Sequence, residues 1–424
     1  MFGSLRALPI IVRLCILTEY FNPGGPGGTP SMIPDLAREL RERFGDVQID
    51  VVTSRNVYRG ACDVLPRSEV WKGIRIIRLW TPKSNQGSMA RRLLAGTAFA
   101  VVASARMLTL PWYDVVFVGT NPPAAPIAAS VVARARKARY VYLIHDLFPD
   151  VAVAVGALPS NGWMTTACRR AQRRWLNGAT RVVAIGRCMR DYLTNVYGLP
   201  QERVAVIPNW SDPCSVPYLP RDTQFRAKHG FTGFLVLYAG NFGQHQDFDT
   251  LLDAALLLRD DDSRISFAFV GDGTKREELE RRIVSDGLTN VYLFPFVSLG
   301  EFADLLASAD ASLVTLEPGA EGLGVPSKFY NILASGRPTI AVVPPTSEVA
   351  RVIEEEGCGI RVDQRDAAAL ASAIRSLASA PEEAQAMGKR ARSALERRFT
   401  LAQVAEQFHQ VFLEAAEAGR KGRR

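Results

Sequence analysis

Two doubly wound α/β domains are what the sequence predicts, and three observations point to them. Short apolar runs alternate with amphipathic stretches along the chain, the order that builds parallel sheets flanked by helices. The alternation breaks at 208–220, where four prolines and no periodicity mark a linker, and then it restarts. The 424 residues suffice for two domains, each with its own core. The expected division is a first domain over 1–208, a linker at 209–222 and a second domain over 223–400.

Composition narrows the class. With 47% hydrophobic and 22% charged residues the chain is a folded globular protein rather than a disordered one. Its 51 basic against 43 acidic residues give +8, which suits an anionic partner, either a phosphorylated substrate or an anionic membrane face. Nucleic acid is not expected, because there is no finger, repeat or basic–aromatic ladder. Six scattered cysteines without a CxxC pair or suitably spaced histidines read as reduced thiols of a cytoplasmic protein. The start carries Arg6 and Arg13 among apolar residues, without a small-residue cleavage site, and reads as a first strand rather than a leader. No apolar run reaches the length of roughly 18 residues that a spanning helix needs.

In chain order, 10–17 is an apolar strand, and a glycine-rich turn containing Gly25, Gly27 and Gly28 follows it. A helix at 34–43 and a strand at 47–53 complete a βαβ unit, although the GxGxxG dinucleotide spacing is missing. Another strand is expected at 74–79. Between Arg92 and Arg106 lie 13 uncharged residues, too few to span a bilayer. That basic-flanked helix has two readings: it lies in a membrane interface, or it packs on the sheet. Strands at 114–119 and 140–144 flank a helix at 124–135, and His145 and Asp146 stand at the carboxyl end of the latter strand. Ligands of open α/β sheets bind beyond such ends, so both residues are candidates for chemistry. The 165–178 helix carries Arg169, Arg170, Arg173 and Arg174; such a run is a solvated face or a contact for anionic lipid. Strands at 181–185 and 204–208 end the first half.

The second half repeats the plan with strands at 234–239, 266–270, 290–296, 311–316 and 339–343. Helices are expected at 248–258, 328–334, 367–378, 381–398 and 401–418. Asp260-Asp-Asp262 lies between a helix and a strand and reads as a solvated turn, not a metal site. The segment after the 311–316 strand stands out. It passes through Glu321, Gly322, Gly324, Val325 and Ser327 into a helix that Lys328 opens and Gly336 closes. Strand, glycine turn and helix start suit a phosphate, because first-turn N–H groups lack partners within the helix. Lys328 is expected to add a mobile positive charge there.

Gly322-x-Gly-x-Pro-Ser-Lys-x-Tyr-x-x-x-x-Ser-Gly-Arg-Pro338 resembles the donor-binding loop of the family 4 glycosyltransferases with the GT-B fold, notably bacterial members that assemble surface polysaccharides. The resemblance covers nearly the full length and is strongest over 234–362. It implies two Rossmann-like domains facing a cleft, with the final helix returning to the first domain. Most of that family frames the loop with two glutamates, the second holding the donor ribose. Here Asn331 stands at the second position, Leu323 at the first, and Glu321 two places earlier. Asn331 offers a hydrogen bond without a carboxylate's charge-assisted strength.

The resemblance further implies that Gly240, Asn241 and Gln246 line the diphosphate site, where the broad family carries an Arg and a Lys. It places backbone near Phe296 against the donor base, and the loop of Gly25, Gly27 and Gly28 across the cleft from the pyrophosphate. His145-Asp-Leu-Phe-Pro-Asp150 is similar to the family's acceptor-side wall. The implied activity is a metal-independent, retaining transfer of a hexosyl-type sugar from a nucleotide-sugar to an acceptor hydroxyl, a lipid-linked saccharide above all. No cofactor beyond the donor is implied, and the implied location is cytoplasmic, peripheral on the inner face of the plasma membrane. A catalytically silent GT-B binding subunit and a GT-B sugar-nucleotide epimerase remain as alternatives. A nicotinamide oxidoreductase is disfavoured by the missing fingerprint.

Overall fold

The computed structural model describes residues 11–23, 29–57, 65–82, 89–260 and 264–421. They form two parallel-sheet α/β domains. The first sheet contains β1 (Val12–Leu17), β2 (Val47–Ser54), β3 (Ser68–Trp71), β4 (Ile74–Leu79), β5 (Val115–Gly119), β6 (Arg139–Ile144), β7 (Arg181–Ala184) and β8 (Val204–Val206). Its order is β3-β4-β2-β1-β5-β6-β7-β8. Every pair is parallel except the antiparallel hairpin β3–β4.

The second sheet contains β9 (Phe234–Ala239), β10 (Ile265–Val270), β11 (Val291–Phe294), β12 (Ala311–Thr315), β13 (Thr339–Val342) and β14 (Gly359–Val362), in the order β11-β10-β9-β12-β13-β14. Its strands are short apolar runs because helices cover both faces. Tyr238, Phe242, Phe248, Phe267 and Phe269 fill the middle of that domain, with Tyr238 edge-on to Phe248 at 4.9 Å.

Helix starts follow local chemistry. Asp247 caps the Phe248–Arg259 helix through the Thr250 N–H, and Ser347 caps Glu348–Glu356 through the Ala350 N–H. Ser298 and Glu301 form a reciprocal capping box at Leu299–Ala307. The final helix, Leu401–Lys421, lies on the first sheet, where Phe408 and Phe412 meet Phe117 edge-on at 5.5 and 5.2 Å.

Several elements differ from the sequence reading. β3 went unread because half of its side chains face solvent; Lys72 and Gly73, both at positive φ, turn it into β4. β14 was also unread, since Arg361 interrupts its apolar character. The 34–43 helix begins earlier, spanning Thr29–Arg43. The linker at 209–222 is held by its neighbours: Ser211 bridges to Thr400, and Val216 and Leu219 carbonyls accept from Arg392 and Arg337. In the Met89–Met107 helix, Phe99, Ala103 and Met107 are buried while Leu94 and Val101 point outward, so one face does pack inside. Cys62 and Asp261-Asp262 lie outside the described residues; Cys15, Cys168, Cys188, Cys214 and Cys358 are free thiols.

Candidate active site

Strand order fixes where ligands can enter. In the second sheet β10 and β12 leave β9 on opposite sides, opening a crevice beyond the carboxyl ends of β9 and β12. In the first, β2 and β5 flank β1 in the same way. The two crevices meet: the Leu147 N–H donates to the Leu323 carbonyl at 2.9 Å. A Cβ placed on Gly324 would come 3.1 Å from Asp146 Oδ1. The glycine-rich loop before the Lys328–Ser335 helix therefore touches the segment that follows β6.

Lys328 opens the Lys328–Ser335 helix, and its Nζ sits between β9 and that helix. The ammonium lies 3.6 Å from the Tyr238 ring centroid, buried and without a hydrogen-bond acceptor among the described residues. Gly240 has a φ of +147°, which favours glycine, and a Cβ there would lie only 3.1 Å from Nζ, so the lysine tip lies close against the Gly240 backbone. Burial with no nearby carboxylate pushes the Lys328 pKa down to about 7. The expectation of a mobile charge is corrected: this lysine is enclosed, and it is parked on an aromatic face.

Around it, Asn241 and Gln246 shape the turn after β9. Tyr238 Oη donates to the Asn241 carbonyl at 2.9 Å, and the Gly243 N–H donates to Gln246 Oε1 at 3.0 Å. Neighbouring cations are engaged. Lys275 Nζ bonds the Gln246 carbonyl at 2.9 Å and Glu317 Oε1 at 3.0 Å, and Arg276 bonds the Gly271 carbonyl and Glu280. His245, a residue the sequence reading passed over, has a buried Nδ1 without a partner among the described residues. Burial lowers its pKa, while Asp146 from the first domain and Glu317 pull it up. Only its place beside Gln246 could have singled it out.

In the loop itself, Glu321 carries a buried Oε2 with no partner among the described residues, Val325 is buried, and Ser327 precedes the helix without capping it. Gly322 adopts a φ of +75° against Cys188 and Tyr192 of the first domain. Asn331 turns toward the linker, its Oδ1 accepting from Ser211 Oγ at 2.8 Å, which leaves the amide N–H groups as its donors. Phe296 follows β11 and is exposed. Gly25, Gly27 and Gly28 lie outside the described residues.

On the first domain, the backbone N–H groups of His145 and Asp146 both donate to Thr120 Oγ1, at 3.2 and 3.3 Å. His145 borders a cavity of about 30 Å³ with Thr18, Tyr20 and Asn121. Burial pushes its pKa down to about 4, so the imidazole is neutral at neutral pH. Asp146 is ringed by protein yet solvent-accessible, as a residue on a cleft wall must be. Burial raises its pKa and His245 opposes the shift. A larger groove of about 900 Å³ lies at the amino ends of β9 and β10, away from this cleft. Among the described residues no group of three or more His, Cys, Asp or Glu could hold a metal ion, and no helix is long and apolar enough to cross a membrane.

Comparison with known proteins agrees with the architecture. Residues 27–210 match the glycosyl transferase 4-like domain, and 221–394 match glycosyl transferases group 1. The chain is 31% identical to the Pseudomonas aeruginosa glycosyltransferase WbjE over 301 residues, 69% of this chain and 73% of that protein. It is 28% identical to the colanic acid biosynthesis glycosyl transferase WcaI of Escherichia coli K12 over 308 residues, 70% and 74% of the two chains. Among solved structures, Anabaena HepE in complex with UDP-glucose superimposes with a TM-score of 0.70 at 17% identity, covering 95% of this chain and all of that one. With matching models on both halves, a relative above 30% identity and the shared two-sheet fold, the chain belongs to the family 4 glycosyltransferases of the GT-B fold.

Proposed function

We propose that this protein moves a sugar from a nucleotide-sugar to an acceptor hydroxyl in polysaccharide assembly, with retention of configuration and without a bound metal. The observation that carries this reading is Lys328: a cation at a helix start with no hydrogen-bond acceptor among the described residues, beside Gly240 in the switch-point crevice. The HepE complex with UDP-glucose supports the donor class, and the name of WcaI supports the pathway class. The acceptor is a lipid-linked saccharide, and the protein works on the cytoplasmic membrane face. Outward-facing Leu94, Val101 and Trp163, with exposed Arg170 and Arg174, support that placement.

In this mechanism no enzyme nucleophile is needed. An oxygen of the departing diphosphate takes the acceptor proton while Lys328 and first-turn N–H groups stabilise the growing charge, an effect of several kcal/mol in preorganised sites. Neutral His145 positions the transferred sugar by hydrogen bonding, and Asp146 orients the acceptor across the cleft. A panel of nucleotide-sugars screened by thermal stabilisation identifies the donor. Turnover of that donor with lipid-linked saccharides then tests the reaction. Absence of both stabilisation and turnover across the panel would instead identify a silent binding subunit. Donor converted to another nucleotide-sugar without acceptor would identify an epimerase.

A further inference from the structure

We propose that Glu348 is a positioning residue for sugar transfer, its carboxylate docking on the N-terminus of the first-domain helix Arg187–Tyr197 and holding the donor loop against the end of β6. The proposal rests on the transferase reading above for its catalytic consequence, but not for the docking itself.

The first turn of that helix has no cap of its own. Its N-cap is Gly186, which has no side chain to offer. The second domain supplies the missing acceptor. Glu348 Oε2 accepts from the Arg187 backbone N–H at 2.6 Å, and Oε1 accepts from Arg187 Nε at 3.0 Å. A carboxylate at a helix start satisfies orphan N–H groups and complements the dipole, here across a domain boundary. Glu348 is only 7% exposed, so the contact is shielded from salt far better than an ordinary surface pair.

Steric contacts at the same turn show what the docking positions. A Cβ on Gly186 would fall 2.9 Å from Val325 Cγ2 and 3.0 Å from Glu348 Cβ. A Cβ on Gly322 would fall 3.1 Å from the Cys188 carbonyl oxygen and from Tyr192 Cβ. The helix turn that receives Glu348 is therefore the surface on which the donor loop rests. Arg351–Asp191 at 3.0 Å and Arg187–Glu355 extend the contact outward, where pairs are solvated and worth little. None of these bonds lies within either sheet, so their loss changes how the domains meet rather than whether each one folds.

Double electron–electron resonance on the full chain, with one spin label on each domain, reads the separation without any substrate. The native protein should give one narrow distance. Glu348→Ala should broaden and lengthen it with an unchanged circular-dichroism spectrum. Glu348→Gln, which keeps an acceptor oxygen but no charge, should give an intermediate distribution. With the nucleotide-sugar selected by thermal stabilisation, Glu348→Ala should lower kcat at least tenfold while donor KM stays within about twofold, because the donor sits on the second domain. A native distance distribution in Glu348→Ala overturns the proposal. Should Glu348→Ala fail to fold, a native distribution in Glu348→Gln overturns it equally. Broadened distances in a protein that transfers no sugar would leave the docking standing and remove the transferase reading.

Discussion

Lys328 Nζ and the Tyr238 ring face one another at 3.6 Å, with no anion beside them among the described residues. A cation on an aromatic face is held weakly compared with one on a phosphate, so the ring acts as a resting place. This arrangement gives a pH signature. Burial lowers the Lys328 pKa to about 7, below the ordinary 10.5, so above neutrality the amine is neutral and a diphosphate bound beside it should bring proton uptake. Nucleotide-sugar affinity should be flat below about pH 7 and fall by up to tenfold per unit above it. Between about 7 and 10.5 the unfolded chain binds a proton that the folded one has released, so this group makes stability rise with pH there. Lys328→Met should flatten both profiles, read by calorimetry and by denaturant titration; an unchanged slope in either one contradicts the assignment.

Turnover should depend on the same residue more than binding does. As the leaving diphosphate gains charge its attraction to Lys328 grows, so Lys328→Ala should lower kcat by about 10². Lys328→Arg should recover only part, because a planar fork does not fit where a Gly240 Cβ would already be 3.1 Å from Nζ. Normal kcat with a raised KM would mean uniform binding and would refute the mechanism.

Asn331 should contribute modestly. Its oxygen is engaged by Ser211, leaving one amide group for a ribose hydroxyl. Asn331→Ala should weaken nucleotide binding by about 1 kcal/mol, roughly fivefold in Kd. An unchanged Kd takes the residue out of the site.

Membrane contact should be electrostatic at first approach. The protein should sediment with vesicles containing anionic lipid and be released as salt rises. Double replacement of Arg170 and Arg174 by Ala should reduce the bound fraction; retention in the supernatant at low salt would show that the outward apolar residues serve another purpose.

Packing of the last helix gives a stability prediction. Phe408 is 1% exposed and edge-on to Phe117, so Phe408→Ala should cost about 3–5 kcal/mol. Chemical denaturation should show the loss in the first domain's transition.

Sequence pattern revealed much of this fold because central strands such as β1, β9 and β12 are buried on both faces and read as apolar runs. It did not reveal β3, whose exposed alternation resembles a loop. The loop from Glu321 to Lys328 was legible because glycine, proline and lysine are local signals. What Lys328 touches was not, since Tyr238 comes from a distant strand and its ring carries no motif. Arg187 and Glu348 are separated by 161 residues, and each looks like one more charge on an amphipathic helix. His245 was overlooked for the same reason: the charges of Asp146 and Glu317 that act on it come from other parts of the chain, and only the fold assembles them.

The return of the Leu401–Lys421 helix to the first sheet sets the order in which a nascent chain can finish folding. Phe408 and Phe412 cover Phe117, so that part of the first domain stays bare until the Leu401–Lys421 helix has left the ribosome. At 5–20 residues per second the second half of the chain takes on the order of ten to forty seconds to make. For that interval the eight-stranded sheet exposes an apolar patch to the cell, while the second domain can assemble beside it without delay. A truncation that removes the Leu401–Lys421 helix would make this exposure permanent, because Phe408 and Phe412 would no longer cover Phe117.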